Sequence, residues 1–307
     1  MTKLQELNSK FEQIISDSYY RQSPSVLYHY TSWESAKSIL STKKFRFSAY
    51  DCTNDPAELE SANEIIRTVA NNVRQAFKDP IDMFIKHFEI LKASKVIKIY
   101  LGCFSDQKNT DSQWMKYADQ GKGLCLGINV LQEAPPEHDG VNCGLVRVEY
   151  SEEPLRKQVD VGFRTICQAL SQSRLKNDEQ AQKDALNAIS RIAGFAAIGA
   201  KKPQWSAEKE RRQVAIVRKG FLDKIVSMEK VSRGNRYIEL PLRAGDKLIS
   251  LNEIIIGHNN QDIESAKSRV QKILSDCGYS NGDAEFPKIT VAPPIAQTDL
   301  VIASVAR

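Results

Sequence analysis

The sequence lacks the motifs of the best-known enzyme sites. Its six cysteines come no closer than 18 positions, and its four histidines form no H-x-x-x-H or H-E-x-x-H pattern. No metal site is therefore expected, because a compact zinc site would need ligands from remote segments. The motifs G-x-G-x-x-G, G-x-x-x-x-G-K-[ST] and G-x-S-x-G are also missing, which argues against a Rossmann dehydrogenase, a P-loop NTPase and a standard hydrolase.

Long apolar runs and a strong charge excess are missing as well. The longest run of apolar residues and glycine is 192–200, far short of the roughly 18 residues of a membrane span. The first residues contain no apolar signal core, so we expect a cytoplasmic protein with no membrane partner. The 307 residues carry 43 Lys+Arg against 38 Asp+Glu. The net charge of +5 is too small to favour nucleic acid as the main partner.

Hydrophobic patterning predicts a mixture of helices and strands. Helices are expected at 1–20, 33–40, 57–78, 81–93, around 114–117, as a pair within 160–200, and at 261–275. Strands are expected at 26–30, 45–48, 96–105, 124–130, 143–150, 213–218, 236–240 and 252–256. Because the order shows no regular βαβ alternation, the predicted class is α+β. We predict an N-terminal helix at 1–25 and one α+β domain at 26–307, with a helical insertion at about 155–200.

Three short segments combine polar and aromatic residues where packing alone would not require them. They read YHYT at 28–31, GCFS at 102–105 with W-x-x-Y-A-D from position 114, and E-x-E-x-R at 208–212. In this order the blocks resemble the bacterial domain-of-unknown-function family 2971, over about residues 26 to 292. That family has no settled activity, so the resemblance alone implies no function.

A more distant resemblance links the same blocks to ADP-ribosyltransferases. His29 is similar to the early-strand histidine of those enzymes, Ser105 or Tyr117 to the middle-strand element, and Glu210 to the glutamate of their E-x-E pair. The resemblance implies a split mixed or antiparallel sheet with flanking helices, and NAD as substrate. It also implies that His29 contacts the adenosine ribose, that the Tyr30 backbone pairs with the nicotinamide amide, and that an aromatic such as Tyr117 stacks on the ring.

The expected chemistry suits a carboxylate. Cleavage of the nicotinamide–ribose bond develops positive charge on the sugar, and a carboxylate against the ribose stabilises that charge more than the ground state. Residues i and i+2 of a strand share a face, so both glutamates can face one cleft. The expected catalytic residues are Glu210 and Glu208. The expected cofactor-binding residues are His29, Tyr30, Thr31, Ser105, Trp114, Tyr117 and Arg212.

Alternatives remain open for each of these residues. The pattern is equally consistent with His29 as a hydrogen-bonded strand residue, with Trp114 and Tyr117 as core residues, and with the glutamates in surface ion pairs. One alternative function is a non-catalytic nucleotide-sensing module. Another is nucleic-acid binding through the basic segment 201–236, where eleven Lys/Arg face four Asp/Glu. For an enzyme, the ADP-ribose acceptor would be an unknown macromolecule or water, and the family suggests bacterial conflict such as phage defence.

Overall fold

The computed structural model describes most of the chain. The described residues are 2–19, 26–52, 56–94, 98–129, 141–217, 229–232, 234–241, 243–244, 247–248, 251–279 and 287–294. Within them the helices are α1 Lys3–Tyr19, α2 Trp33–Thr42, α3 Pro56–Arg74, α4 Lys78–Ser94, α5 Asp111–Tyr117, α6 Glu152–Gln172, α7 Glu179–Gly199 and α8 Ile263–Asp276. Short 3-10 helices occupy Tyr50–Cys52 and Pro203–Glu208.

The strands alternate with these helices without a repeating order. They are β1 Val26–Thr31, β2 Lys44–Ala49, β3 Lys98–Ser105, β4 Leu124–Asn129, β5 Val141–Arg147, β6 Glu210–Val217, β7 Lys230–Ser232, β8 Asn235–Pro241, β9 Arg243–Ala244, β10 Lys247–Leu248, β11 Leu251–Ile256 and β12 Lys288–Val291. Strands β9 and β10 pair with each other, and the remaining ten form one mixed, open sheet. Its described pairs are antiparallel apart from the parallel pair β11 and β12. The fold is therefore α+β, a mixed sheet flanked by helices.

The sheet forks at β3. One edge of β3 pairs along its whole length with β6, which in turn pairs with β5. The other edge pairs with β2 at Tyr100 and Leu101, and with β1 only at Ser105. Two arms leave this edge: β1 continues to β4, β11 and β12, whereas β2 continues to β8 and β7. The backbone from Gly102 to Phe104 therefore lies between the two arms.

The two faces of the sheet have separate cores. Residues paired across strands share a face, so we call the side that carries Leu101, Ser105 and Val214 the front face. There Leu101, Val146 and Val214 pack with apolar residues of α1, α3, α4, α6 and α7. The amphipathic pattern of these helices places their buried residues on the sheet side. Helices α6 and α7 thus share one core with the N-terminal helix.

The opposite side, the back face, carries Tyr100, Phe104 and Ala215. These residues join a second core with Ala36 and Leu40 of α2 and with apolar residues of α8. Helix α5 instead lies on the front face of the β1 arm, where the buried Trp114 packs with Tyr30, Cys125 and Ile255.

Most expected elements are present, with shifted ends. Strand β6 starts at Glu210 rather than 213, and α6 starts at Glu152 rather than near 160. The N-cap of α2 is Ser32, whose hydroxyl accepts from the Ser35 amide, whereas Thr31 ends β1. The short strands β7, β9, β10 and β12 were not predicted. Residues 96, 97, 130 and 218, at the ends of predicted strands, and residues 20–25 of the predicted N-terminal unit lie outside the described residues.

Candidate functional site

A compact group of charged side chains lies where β6 begins. Glu208 ends the 3-10 helix, Lys209 adopts the left-handed backbone conformation at φ 44°, and Glu210 opens the strand. The turn at Lys209 brings the two carboxylates together, although the two glutamates do not belong to one strand. Lys201 Nζ donates to Glu208 Oε2 at 2.5 Å and to Glu210 Oε2 at 2.6 Å. One buried ammonium thus bridges both acids.

Glu210 has hydrogen-bond partners at both carboxylate oxygens and at its backbone amide. Arg212 Nε donates to its Oε1 at 2.9 Å, and the Glu210 amide donates to the Tyr150 hydroxyl at 2.7 Å. Burial by itself would raise the pKa of Glu210, but the charges of Arg212 and Lys201 outweigh burial and lower the pKa to about 2. Glu210 is therefore ionised at neutral pH. In return, Glu210 and Glu208 raise the pKa of Lys201 against the opposing effect of burial.

Glu208 faces a more open side of the cluster. Its Oε1 accepts from Lys116 Nζ at 3.0 Å and from the Tyr117 hydroxyl at 3.2 Å, both from α5. The Lys116 side chain is 44% exposed and Tyr117 is 43% exposed, whereas the Glu208 side chain is 6% exposed. Burial, followed by the charges of Glu208 and Glu210, raises the pKa of Tyr117. The hydroxyl therefore stays protonated and donates a hydrogen bond to Glu208.

Cys103 lies beside the carboxylates, at the fork of the sheet. It lies opposite Arg212 in the β3–β6 ladder and therefore on the front face with Ser105 and Glu210. The residue is solvent-exposed, yet burial and the Glu210 carboxylate raise the pKa of its thiol. The carboxylate cluster is thus next to the fork of the sheet, where Cys103 is exposed.

His29 lies on the other side of the sheet. Tyr28 pairs with Ser105, and Ser105 pairs with Glu210, so these three residues share the front face and His29 belongs to the back face. Its ring packs on Phe45 at 4.6 Å and on Phe104 at 5.9 Å.

The imidazole is fixed at the fork. His29 Nδ1 donates to the Cys103 carbonyl at 3.1 Å, and burial lowers the pKa of His29 to about 4. The structure therefore places His29 and Glu210 on opposite faces of the sheet and does not bring the two side chains together.

The remaining predicted residues divide into two groups. Glu208, Glu210, Arg212 and Tyr117 converge in the cluster, and Ser105 joins it from β3 because its hydroxyl donates to the Glu208 carbonyl at 2.9 Å.

Three other predicted residues lie in α5 or next to it. The Tyr30 hydroxyl donates to the Gln107 carbonyl at 2.8 Å and accepts from the Thr110 amide at 3.0 Å. Trp114 and Thr31 are buried. These contacts fix the loop that leads into α5, which carries Lys116 and Tyr117 to the cluster.

Three members of the cluster were not predicted from the sequence: Lys201, Lys116 and Trp205. Lys201 and Trp205 lie in the basic segment 201–236, but only the fold shows that the lysine bridges both acids. Trp205 contacts Lys116, whose Nζ lies 3.9 Å from the centroid of the Trp205 ring. The sequence signal for Lys116 is its position directly before Tyr117, a predicted site residue.

Two of the eleven basic residues in segment 201–236 belong to this cluster. Lys201 and Arg212 pair with the two glutamates, and Arg211 Nε donates to Asp106 Oδ1 at 2.8 Å. Residues 218–228 and 233 of the segment lie outside the described residues.

In the part of the chain that the structure describes, no group of three or more His, Cys, Asp or Glu could hold a metal ion. No helix in that part is long and apolar enough to cross a membrane.

Comparison with known proteins adds a family match over part of the chain. Residues 113–213 match the model of a family described as a protein of unknown function (DUF2971). No curated protein and no solved structure matches the chain. The matched span contains Lys116, Tyr117, Lys201, Glu208 and Glu210. The match supports the resemblance to this family of unknown function, and it covers the carboxylate cluster.

Proposed function

We propose that the chain binds NAD at the carboxylate cluster and cleaves the bond between nicotinamide and ribose, transferring ADP-ribose to an acceptor or to water. The observation that carries the proposal is a pair of nearby glutamates bridged by Lys201, one of them ionised by its surroundings, beside the exposed Cys103 at the fork of the sheet. Resemblance to ADP-ribosyltransferases supports a role for this E-x-E pair, with Glu210 in the position of their glutamate.

The proposed reaction needs no metal. The C–N bond to the pyridinium breaks, the electron pair leaves with nicotinamide, and positive charge grows on the ribose. Water or a nucleophilic side chain of an acceptor then bonds to that carbon and releases a proton. A fixed carboxylate stabilises the intermediate charge more than the ground state, which lowers the barrier.

We assign ligand contact to Glu208 rather than to Glu210. Both Glu210 oxygens accept from buried cations, Arg212 and Lys201. Glu208 instead points toward the partly exposed Lys116 and Tyr117, so it borders the side from which a ligand can approach. Glu210 then acts as a positioning residue that holds Lys201 against Glu208. His29 takes no part in this version of the site.

The test is nicotinamide release from NAD by the purified protein, followed by chromatography. Wild type should release nicotinamide, Glu208→Gln should reduce the rate by at least about 100-fold because the charge that stabilises the transition state is gone, and Glu210→Gln should reduce it less. Glu229→Gln is the matched control, since Glu229 accepts from Lys98 and Tyr100 far along β3. Equal rates for wild type and Glu208→Gln would refute the assignment.

A second candidate function is a nucleotide-sensing module that binds without turnover. The observation that favours it is the enclosure of Glu210 by Arg212 and Lys201, which leaves that carboxylate little freedom to meet a ligand. NAD binding by calorimetry without nicotinamide release would support the sensor. Retention on DNA or RNA that weakens steeply with salt would instead support the nucleic-acid alternative. A role in bacterial conflict such as phage defence stays part of the proposal through the family resemblance.

A further inference from the structure

The ammonium group of Lys116 lies inside a cage built for a cation. Its Nζ is 3.9 Å from the centroid of the Trp205 ring and 4.9 Å from the centroid of the Tyr117 ring. Glu208 Oε1 lies 3.0 Å from the same nitrogen. Aromatic ring faces attract cations through their quadrupole, and the carboxylate adds a full negative charge. Two rings and one acid thus surround the Lys116 ammonium, while Lys201 Nζ lies further out, 6.0 Å from the centroid of the Trp205 ring.

The cage is assembled from separate parts of the chain. Lys116 and Tyr117 are neighbours on α5, whereas Trp205 and Glu208 belong to the 3-10 helix that precedes β6. The cage is also open. The Lys116 side chain and Tyr117 are about as exposed as each other, at 44% and 43%, and Trp205 is half-buried.

The cage does not need Lys116 to remain intact. If the lysine swings out, Glu208 keeps its bonds from Lys201 at 2.5 Å and from the Tyr117 hydroxyl at 3.2 Å, so no buried charge is left unpaired. Because the lysine stem is flexible and its head is partly in solvent, it can be displaced. A ligand that brings its own cation can then take the same position.

We propose that Trp205, Tyr117 and Glu208 form a binding subsite for an organic cation, either a pyridinium or a methylated ammonium, and that Lys116 is its internal occupant and competitor. The inference rests on the proposed function for the place where a ligand binds, since NAD carries a pyridinium. Its test requires binding alone, so its outcome can be told apart from that of the turnover assay.

Lys116→Met removes the internal cation and keeps the length of the side chain. Calorimetric titrations of wild type and this variant use two cations, nicotinamide methylated on its ring nitrogen and tetramethylammonium. Unmethylated nicotinamide is the neutral counterpart. If the lysine occupies the cage most of the time, its removal should tighten cation binding about tenfold. Nicotinamide binding should not change. The first two ligands separate a pyridinium subsite from one that accepts any quaternary ammonium.

Two further variants control for charge and for folding. Lys116→Met combined with Trp205→Leu has the same charge as Lys116→Met but lacks the ring, so cation binding should fall back to the wild-type level or below. Lys122→Met removes an exposed lysine outside the cage and should bind like wild type.

Each result decides the inference. Unchanged cation affinity in Lys116→Met, confirmed with Lys116→Gln in case the first variant misfolds, would overturn it. Equal tightening with and without Trp205 would overturn it as well, because the gain would then come from net charge. Cation binding without any nicotinamide release from NAD would leave the subsite standing and refute only the turnover.

Discussion

Glu208 and Glu210 share one ammonium group, although one ends a 3-10 helix and the other opens a strand. Lys201 Nζ lies 2.5 Å from the first carboxylate and 2.6 Å from the second. Between them Lys209 adopts the left-handed backbone conformation, which ends the 3-10 helix before the strand begins. The arrangement places two acids on the side of the sheet where Cys103 is accessible.

Removing Lys201 should destabilise the protein strongly. Lys201→Met leaves two nearly buried carboxylates facing each other without their shared cation, and breaking such a buried pair typically costs about 3–5 kcal/mol. Urea denaturation at pH 7 measures the loss. Lys230→Met removes an exposed ion pair with Glu239 and should change the unfolding free energy little. The double variant Lys201→Met with Glu208→Gln should recover part of the loss, and the absence of any recovery would contradict the shared-cation arrangement.

The stability contributed by Glu210 should depend on pH at the acidic end. The folded-state pKa of Glu210 is about 2, below the usual value of about 4.3. The unfolded chain therefore binds the proton more readily, and the contribution is present above about pH 4.3 and is lost as the pH falls toward 2. Urea denaturation between pH 6 and pH 2.5 should show a shallower decline for Glu210→Gln than for wild type. Parallel curves would show that Glu210 is not held as an anion.

His29 should titrate in a different and less acidic interval. Burial lowers its pKa from the model-peptide value to about 4, so its neutral form is favoured by folding. Since the depressed pKa belongs to the folded state, stability from His29 is complete above about pH 6.5 and declines as the pH falls to about 4. NMR of the imidazole resonances gives the folded-state pKa directly. A His29 midpoint near 6.5 would show that the ring is not enclosed by Phe45 and Phe104.

Cys103 should react slowly with thiol reagents although it is exposed. Burial and Glu210 raise the pKa of the thiol, and only the thiolate is a good nucleophile. Glu210→Gln removes the negative charge and should speed alkylation by iodoacetamide several-fold at pH 8, as measured by mass spectrometry of the Cys103 peptide. The buried Cys167 provides an internal reference within the same samples. An unchanged rate at Cys103 would place its sulfur away from Glu210.

The turn after α5 should tolerate no side chain at Gly123. A Cβ there would lie 2.3 Å from the Thr31 carbonyl oxygen and 2.9 Å from Ala118 backbone atoms. Gly123→Ala should cost about 1–3 kcal/mol of unfolding free energy, as overpacking usually does. Gly194, inside α7, has nothing within 4 Å of such a Cβ, so Gly194→Ala should stabilise by about 0.5–1 kcal/mol. Thermal or urea unfolding of both variants provides the comparison.

Local pattern was enough to predict much of the fold. The nearly all-apolar run at 96–105 predicted strand β3, and helical periodicity predicted helices α6 and α7. Short strands such as β9 and β12 were not predicted, because two to four residues are too few to show a periodic pattern. The start of β6 was placed too late, since Glu210, Arg211 and Arg212 are charged residues in a buried strand. Their burial depends on ion partners that come from elsewhere in the chain.

The sequence by itself determined which residue types were available: two glutamates two positions apart, an aromatic on a short helix, and a histidine inside a strand. Only the tertiary structure decided which of them meet. Alternation fixes faces within one strand, but the face of His29 relative to Glu210 depends on the register across β1, β3 and β6, and an offset of one residue reverses it. Lys201 and Lys116 likewise reach Glu208 only because separate segments pack together, which no local pattern encodes.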